Sequence, residues 1–174
     1  MAAFPSKSNP GDLMRIDIDL PSPAATDRLA SAVARLARPK DIIALGGDLG
    51  AGKTHFARAF IRTLAPDTGD VPSPTFTLVQ SYAAKIAAGP VEVWHFDLYR
   101  LKLAEEAYDL AIEEAFAEGI SLIQWPEKLG SLLPRHRLDV DFDILPDGLA
   151  RRATLSGGAI WRDRLARLQR VLNA

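Results

Sequence analysis

A glycine-rich stretch with the sequence GDLGAGKT, at residues 47–54, constrains the fold more than any other part of the chain. It follows DIIALG at residues 41–46, a short apolar run of the kind that forms a strand buried on both faces of a parallel sheet. A helix is predicted from Lys53 to about Leu64. Glycines between a strand and a helix let backbone N–H groups close around phosphate oxygens. The pattern G-x-x-x-x-G-K-[ST] in this context therefore predicts a phosphate-binding loop, or P-loop.

The rest of the chain alternates between strand and helix patterns. The predicted strands cover residues 15–20, 41–46, 77–82, 91–97, 120–125, 138–144 and 151–156, and the predicted helices cover residues 23–38, 53–64, 103–118 and 160–172. Gly89-Pro90 is interpreted as the break between the third and fourth strands. Together, the order of these strands and helices and the P-loop predict an α/β protein with the three-layer P-loop NTPase fold, whose mixed sheet has a parallel centre and antiparallel edge strands.

Three aspartates alternate with apolar residues in one predicted strand, at Asp139, Asp141 and Asp143. This spacing is compatible with a metal cluster. We favour the interpretation that they form the solvent-facing side of an edge strand, because acids at period two usually face water. A turn at Pro146-Asp147-Gly148 joins this strand to the next in a hairpin.

Length and composition are those of a globular protein. The 174 residues are 48% hydrophobic and 25% charged, so we expect a flexible tail at residues 1–12 and a single P-loop domain at residues 13–174. No apolar run approaches a membrane span and no signal-peptide pattern is present, which predicts a cytoplasmic protein without membrane contact. The absence of cysteine excludes disulfides and thiolate chemistry. With a net charge of -1, RNA contact needs a local basic patch or a partner protein.

Side chains in and after the loop suit a nucleotide and a magnesium ion. Lys53 is expected to reach the β- and γ-phosphates, and the Thr54 hydroxyl to bind Mg²⁺. Asp97 ends the segment VEVWHFD, at the strand edge where ligand sites gather, so it is the candidate acid that holds magnesium through water. The alternative role of Asp97 is to cap the segment that follows.

Ser73, Thr75 and Thr77 include a candidate hydroxyl that senses the γ-phosphate. The alternative is that these hydroxyls build a turn with Pro72 and Pro74.

Two histidines lie beside these candidates. His95 is interpreted as structural rather than catalytic. His55 follows Thr54 directly, and its backbone N–H is expected to help bind phosphate whatever its side chain does.

Four segments occur in an order that resembles one protein family. GDLGAGKT, SPTF, HFDLYRL and QWPEKLG follow one another between about residues 20 and 145. Together they resemble the TsaE family, the small bacterial ATPases of tRNA threonylcarbamoyladenosine biosynthesis. The resemblance implies that ATP is bound and hydrolysed to ADP with Mg²⁺, alongside two partner subunits that resemble sugar kinases. It also implies that tRNA is met only indirectly, through those partners.

The resemblance implies roles for individual residues as well. The residues expected to contact the nucleotide in the loop and the first helical turn are Leu49, Gly50, Ala51, Gly52, Lys53, Thr54 and His55. Asp97 corresponds to the Walker B-type acid, which holds magnesium together with Thr54. Thr75 lies in a switch-like loop, and Thr26 in the first helix is a candidate for contact with the base.

Two positions depart from the family's pattern. The family usually has a second Thr or Ser after the P-loop threonine, where this chain has His55, and Glu before the Trp-Pro pair, where this chain has Gln124. An amide oxygen can bind magnesium or position a water but cannot accept a proton. Gln124 is therefore the candidate third metal ligand and catalytic residue, and slow turnover is expected. Glu127, just past Pro126, is the alternative carboxylate.

Two other functions stay open at the level of sequence. A P-loop kinase for a small molecule such as a nucleoside binds the same phosphates. Such kinases usually carry an arginine-rich lid, and the arginines here are scattered. A nucleotide-gated adaptor that does not hydrolyse ATP is compatible with Gln124. The complete set of loop, Lys53, Thr54 and Asp97 favours hydrolysis.

Overall fold

The structure is a computed structural model that describes residues 13–174. The predicted tail at residues 1–12 lies outside the described residues. The strands are β1 Met14–Leu20, β2 Ile42–Gly47, β3 Val79–Ile86, β4 Gly89–Asp97, β5 Ile120–Gln124, β6 Leu138–Ile144 and β7 Arg151–Gly157. The helices are α1 Pro23–Leu36, α2 Lys53–Leu64, α3 Ile112–Glu118 and α4 Ala159–Leu172, with two 3-10 segments at Ala104–Leu110 and Pro126–Leu132. None of the helices in this part of the chain has the length and apolar character needed to cross a membrane.

The strands form one mixed sheet in the order β1-β7-β6-β2-β5-β4-β3. β2 pairs in parallel with both β5 and β6, and β4 pairs in parallel with β5. The outer pairs β1–β7, β6–β7 and β3–β4 are antiparallel. The predicted parallel centre with antiparallel edge strands is therefore confirmed.

Two apolar clusters, one on each face of the sheet, make the three layers. On the first face, α1, α2 and α4 pack against the sheet through residues such as Phe56 and Trp161. On the second face, α3 packs through Ile112 together with the 3-10 segments. β2 contributes to both clusters, with Ile43 in the first and Ile42 in the second. Burial on both faces explains why this strand is an unbroken apolar run.

The predicted break at Gly89-Pro90 is wrong. β3 continues to Ile86, and β4 begins at Gly89 after a turn of two residues. The pair that flanks such a turn exchanges hydrogen bonds, so the next pair, Lys85 with Pro90, does not need the N–H that proline lacks. Pairing of β4 with β5 begins only at Val93. Proline is therefore tolerated at this strand end.

The predicted helix at residues 103–118 is interrupted. A 3-10 segment ends at Leu110, Ala111 has a φ of 59°, and α3 begins at Ile112. Ala107 and Ile112 are both buried in the apolar cluster on the second face. In a continuous helix these two side chains would point about 140° apart around the axis. The left-handed residue between them turns both toward the sheet.

β6 is not an edge strand, contrary to the sequence interpretation, because it pairs with both β2 and β7. Its aspartates nevertheless face outward: Asp141 and Asp143 are exposed, and Asp139 pairs with Arg137 at 2.7 Å. Among the described residues, the cluster under α3 includes none from β6, so this face stays open to water. No group of three or more His, Cys, Asp or Glu residues in the described chain is arranged to hold a metal ion.

A buried ion pair fastens α4 to the start of β2. Arg164 and Asp41 are 6% and 5% exposed, and two guanidinium nitrogens of Arg164 lie 2.5 and 3.0 Å from the two carboxylate oxygens of Asp41. Arg164 also donates to the Leu36 carbonyl oxygen at 3.1 Å, and Asp41 accepts from the Arg38 N–H at 2.7 Å. The pair therefore joins the end of α1, the entry to β2 and the middle of α4.

Replacing this arginine, Arg164→Met, should lower the free energy of unfolding by about 3–5 kcal/mol, because the Asp41 carboxylate then stays buried without its partner. Urea denaturation measures the change. The matched control is Arg170→Met on the exposed side of the same helix, which should shift the free energy by less than about 0.5 kcal/mol. Adding Asp41→Asn to Arg164→Met should recover part of the loss. Equal stabilities for Arg164→Met and the control would contradict the assigned role.

Candidate functional site

The glycine-rich loop leaves β2 and enters α2 through backbone conformations that favour glycine. Gly47 and Gly52 have φ values of 127° and 116°. A Cβ on Gly47 would lie 2.5 Å from the Phe142 carbonyl oxygen of β6, so only glycine lets the loop turn this close to the neighbouring strand. Gly52 caps α2 without a side-chain hydrogen bond. The first N–H groups of α2 are therefore left for an external acceptor, as at other anion-binding helix ends.

The Lys53 ammonium folds back over the loop. Its Nζ donates to the carbonyl oxygens of Gly47 and Asp48, the second at 3.0 Å, and lies 3.9 Å from the centroid of the Trp125 ring. Burial lowers the pKa of Lys53, while nearby carboxylates, chiefly Glu127, oppose that shift. Within the described part of the chain, this ammonium forms no ion pair. An incoming phosphate would supply the negative partner that the carbonyls and the ring do not.

A chain of hydrogen bonds runs from the loop into the core. The Thr54 hydroxyl donates to Gln124 Oε1 at 3.0 Å, and Gln124 Nε2 donates to His95 Nε2 at 2.7 Å. Gln124 ends β5 and is 2% exposed, and His95 on β4 is fully buried. Because an amide nitrogen only donates, the ring nitrogen accepts, and His95 carries its proton on Nδ1.

His95 lies behind Gln124 rather than on the surface of the site. Burial, aided by the charge of Arg58, lowers the pKa of His95 to about 3, so the ring is neutral near pH 7. Its Nδ1 has no hydrogen-bond partner among the described residues. The buried ring therefore contacts the Gln124 amide and does not line the cleft, so its structural role stays a prediction.

Asp97 ends β4 and is the register partner of Gln124 on β5. One carboxylate oxygen accepts from the Tyr99 N–H at 3.2 Å, and the other accepts from the Thr75 hydroxyl at 3.4 Å. The Thr75 and Ser73 hydroxyls lie 2.8 Å apart. Asp97 therefore caps the segment after β4, as one of the two interpretations from sequence has it, and its second oxygen accepts from the loop that carries Thr75. Its role as the acid that holds magnesium stays a prediction.

These side chains surround a cleft of about 310 Å³. Its lining is formed by Leu49, Gly50, Gly52, Lys53, Thr54, His55, Ser73, Thr75, Asp97, Tyr99, Gln124 and Trp125. Of the predicted site residues, only Ala51 and Thr26 do not line it. Ala51 packs into the core, and Thr26 is buried on α1, next to Asp27, whose carboxylate lies 2.7 Å from His55 Nε2. Glu127 lines a separate cavity.

Three residues that help to form the site were not predicted from the sequence. Tyr99 and Trp125 lie with ring centroids 5.0 Å apart on one wall of the cleft, and Trp125 has a left-handed φ of 59°. Tyr99 belongs to the segment HFDLYRL and Trp125 to QWPEKLG, in which the predicted site residues are the polar Asp97 and Gln124. Arg151 donates to the Gly50 carbonyl oxygen at 3.3 Å from a position 101 residues further along the chain. No local pattern signals such a contact.

The oxygen atoms at the base of the cleft fit a magnesium ion shared with phosphates. The Thr54 hydroxyl and the Gln124 amide oxygen lie 3.0 Å apart, and Asp97 lines the same cleft. Mg²⁺ prefers oxygen ligands, keeps several waters, and commonly uses one or two carboxylates together with substrate phosphates. One hydroxyl, one amide oxygen and one carboxylate suit that shared arrangement and are too few for a cage built from protein alone.

The variant His95→Gln should weaken the loss of stability on acidification while keeping an acceptor for the Gln124 amide. In the wild type, the pKa of His95 falls from 6.5 to about 3 on folding. Stability is therefore full above the unfolded pKa and declines as the pH falls from about 6.5 toward 3. From pH 7 to pH 5, the wild type should lose about 2 kcal/mol more than the variant. Urea denaturation without nucleotide or Mg²⁺ measures this, and equal pH dependence would contradict a neutral buried ring.

A family model and several related proteins that match this chain carry the same description. Residues 20–153 match the family model described as Threonylcarbamoyl adenosine biosynthesis protein TsaE. The chain is 39% identical over 122 residues to the tRNA threonylcarbamoyladenosine biosynthesis protein TsaE of Rickettsia felis, covering 70% of this chain and 69% of the relative. It is 37% identical over 120 residues to the protein of the same description from Bacillus subtilis, covering 68% and 72%.

A solved structure agrees with these sequence matches. The crystal structure of Bacillus subtilis YdiB superimposes with a TM-score of 0.73 at 28% sequence identity, covering 91% of this chain and 96% of that one. The family match spans the glycine-rich loop, Asp97, Gln124 and β6, and ends within β7. The chain therefore belongs to the TsaE family of threonylcarbamoyladenosine biosynthesis proteins.

Proposed function

We propose that this protein binds ATP with Mg²⁺ in the cleft and hydrolyses it slowly, as a component of the machinery that forms N6-threonylcarbamoyladenosine in tRNA. The observation that carries the proposal is the convergence of Lys53, Thr54, Asp97 and Gln124 on one cleft beside the glycine-rich loop. Lys53 and Thr54 belong to GDLGAGKT, whereas Asp97 and Gln124 belong to two later segments of the pattern. The sheet register brings the three segments together. The family to which the chain belongs supplies the biological setting.

Each side chain has a defined task in this proposal. The ammonium of Lys53 moves its donors from the Gly47 and Asp48 carbonyls to the phosphate oxygens of ATP, where the charge is better matched. Thr54, Asp97 and Gln124 are the proposed protein ligands of Mg²⁺. The ion, when bound, neutralises charge on the β- and γ-phosphates.

The amide at Gln124 sets the expected rate. It can orient a water through its carbonyl oxygen, which already accepts from Thr54, but it cannot take up the proton that an attacking water releases. Among the described residues, Asp97 supplies the one carboxylate of the cleft lining, and it is engaged with Tyr99 and Thr75. Slow hydrolysis by the isolated chain follows from these limits.

The mouth of the cleft supports a role for partner proteins. Leu49, Phe76 and Leu149 are 79%, 81% and 82% exposed. Leu49 lines the cleft, Phe76 follows Thr75 in sequence, and the hairpin that carries Leu149 reaches the loop through Arg151. Exposed apolar side chains around a site commonly mark a protein interface. We propose that the two sugar-kinase-like subunits cover this rim, that tRNA is met through them, and that the assembly works in the cytoplasm without a membrane.

The two alternatives differ in how well the cleft supports them. Within the described chain, no arginine lines the cleft, and Arg100 instead lies 4.5 Å from the Phe76 ring centroid. This does not favour a kinase that clamps phosphates with an arginine-rich lid. A nucleotide-gated adaptor is favoured by one specific observation, the amide at Gln124 in place of a carboxylate.

The decisive experiment is an ATPase assay on the isolated chain, repeated with the two candidate partner proteins and tRNA. We expect slow, Mg²⁺-dependent release of phosphate that rises when the partners are added. ATP binding without hydrolysis under every condition would support the adaptor. Phosphorylated acceptor in a parallel panel of nucleosides would support the kinase. No stimulation by partners and tRNA would contradict the proposed role in the tRNA-modifying assembly.

The variant Gln124→Glu should hydrolyse ATP tenfold faster or more, because a positioned general base commonly contributes about 10²–10⁴-fold. Gln169→Glu, on the exposed side of α4, adds the same charge away from the cleft and should leave the rate unchanged. Steady-state phosphate release at saturating Mg-ATP measures both. An unchanged rate for Gln124→Glu would remove Gln124 from the proposed catalytic role.

A further inference from the structure

A second concave surface lies at the sheet edge opposite the cleft. The end of α1, the β3–β4 turn and α4 enclose a groove of about 730 Å³. β2 starts beside this groove and ends in the glycine-rich loop, so the strand separates the two surfaces by roughly 20 Å. We call this surface the basic groove and define it by Arg35, Arg38, Lys85 and Arg167.

The four cations of the basic groove are exposed and line it together. Within residues 13–174, none of these four side chains has a hydrogen bond or ion pair. Other arginines of the chain are neutralised, such as Arg152, which lies 2.8 Å from Asp19. Because the whole chain has a net charge of -1, the excess of positive charge is local.

The floor of the groove is fixed and partly apolar. The buried pair of Arg164 and Asp41 holds the end of α1 against α4, so the walls do not depend on a ligand. Leu36, Leu64 and Ile86 contribute aliphatic surface between the cations. Asp163 is the one carboxylate on the exposed lining that the described residues provide.

We propose that the basic groove binds an acidic, aliphatic segment of a partner protein. The unpaired cations supply complementary charge, which sets orientation and specificity, and the aliphatic floor supplies apolar contact. Single-stranded RNA fits less well, because such sites usually offer aromatic side chains on which bases stack. The described lining contains no aromatic residue. This surface is separate from the apolar rim of the cleft and its occupation does not require a nucleotide.

The test uses the whole ¹⁵N-labelled chain without nucleotide and follows amide chemical shifts. The probes are a short peptide of Glu-Glu-Leu repeats, a peptide of Lys-Lys-Leu repeats and a short oligouridylate. We expect the acidic peptide alone to give saturable shifts at the end of α1, the β3–β4 turn and α4. Added salt should weaken this binding, because exposed ion pairs are screened. No saturable shift in these elements, or tighter binding of oligouridylate there, would overturn the proposal.

Charge reversal supplies the matched comparison. The triple variant R35E/K85E/R167E should weaken binding of the acidic peptide tenfold or more. The control K102E/K128E/R135E changes the same net charge at exposed positions outside the groove and should bind within about twofold of the wild type. Both variants should keep the wild-type unfolding midpoint, because all six side chains are exposed. If the two triple variants bound the acidic peptide with equal affinity, the loss of binding would follow from net charge alone. That result would contradict a specific binding site in the basic groove.

Discussion

Parallel hydrogen bonding of β2 on both of its edges is the constraint on which the rest of the structure depends. β2 lies between β5 and β6, and β5 in turn pairs with β4. Because the strands are parallel, their carboxyl ends meet at one edge of the sheet. The register aligns Leu45 with Gln124 and Gln124 with Asp97. The start of the glycine-rich loop, the Gln124 amide and the Asp97 carboxylate therefore lie side by side at this edge of the sheet. A slip of one residue would turn these side chains to the opposite face of the sheet.

The hydrogen bonds from Thr54 through Gln124 to His95 form a neutral network with an amide at its centre. The amide suits both neighbours, since it accepts from the hydroxyl and donates to the imidazole. A carboxylate would face the lone pair of His95 Nε2 and would require the ring to move its proton to that nitrogen. It would also place a second negative charge beside Asp97, its register partner. Gln124 thus forms a buried, uncharged network but cannot act as a base. This is the physical basis for the proposal that the chain binds ATP but hydrolyses it slowly.

The sequence predicted those features that depend on local pattern. GDLGAGKT between an apolar strand and a helix defines its own loop. Alternation identifies β1 and β6, and the turn at Pro146-Asp147-Gly148 identifies β7. The left-handed conformations of Ala111 and Trp125 could not be predicted from local sequence, because tertiary packing determines them. Ala111 turns α3 toward the core, and Trp125 places its ring against Tyr99. The interior position of β6 depends on a partner strand far along the chain. The same holds for Arg151, whose bond to Gly50 joins elements that no short-range rule connects.

Positive and negative charges lie on separate surfaces of this molecule, which bears on the proposed contact with RNA. The proposed phosphate site at one end of β2 and the basic groove at the other both attract anions. The outer face of β6 carries three aspartates, and α3 with the preceding 3-10 segment carries a further set of acids at Glu105, Glu106, Asp109, Glu113, Glu114 and Glu118. A polyanion laid across the molecule would meet these acidic faces and be repelled, whereas a protein segment of limited length can occupy either positive region alone. This distribution is consistent with the proposal that tRNA is met through partner proteins rather than bound directly.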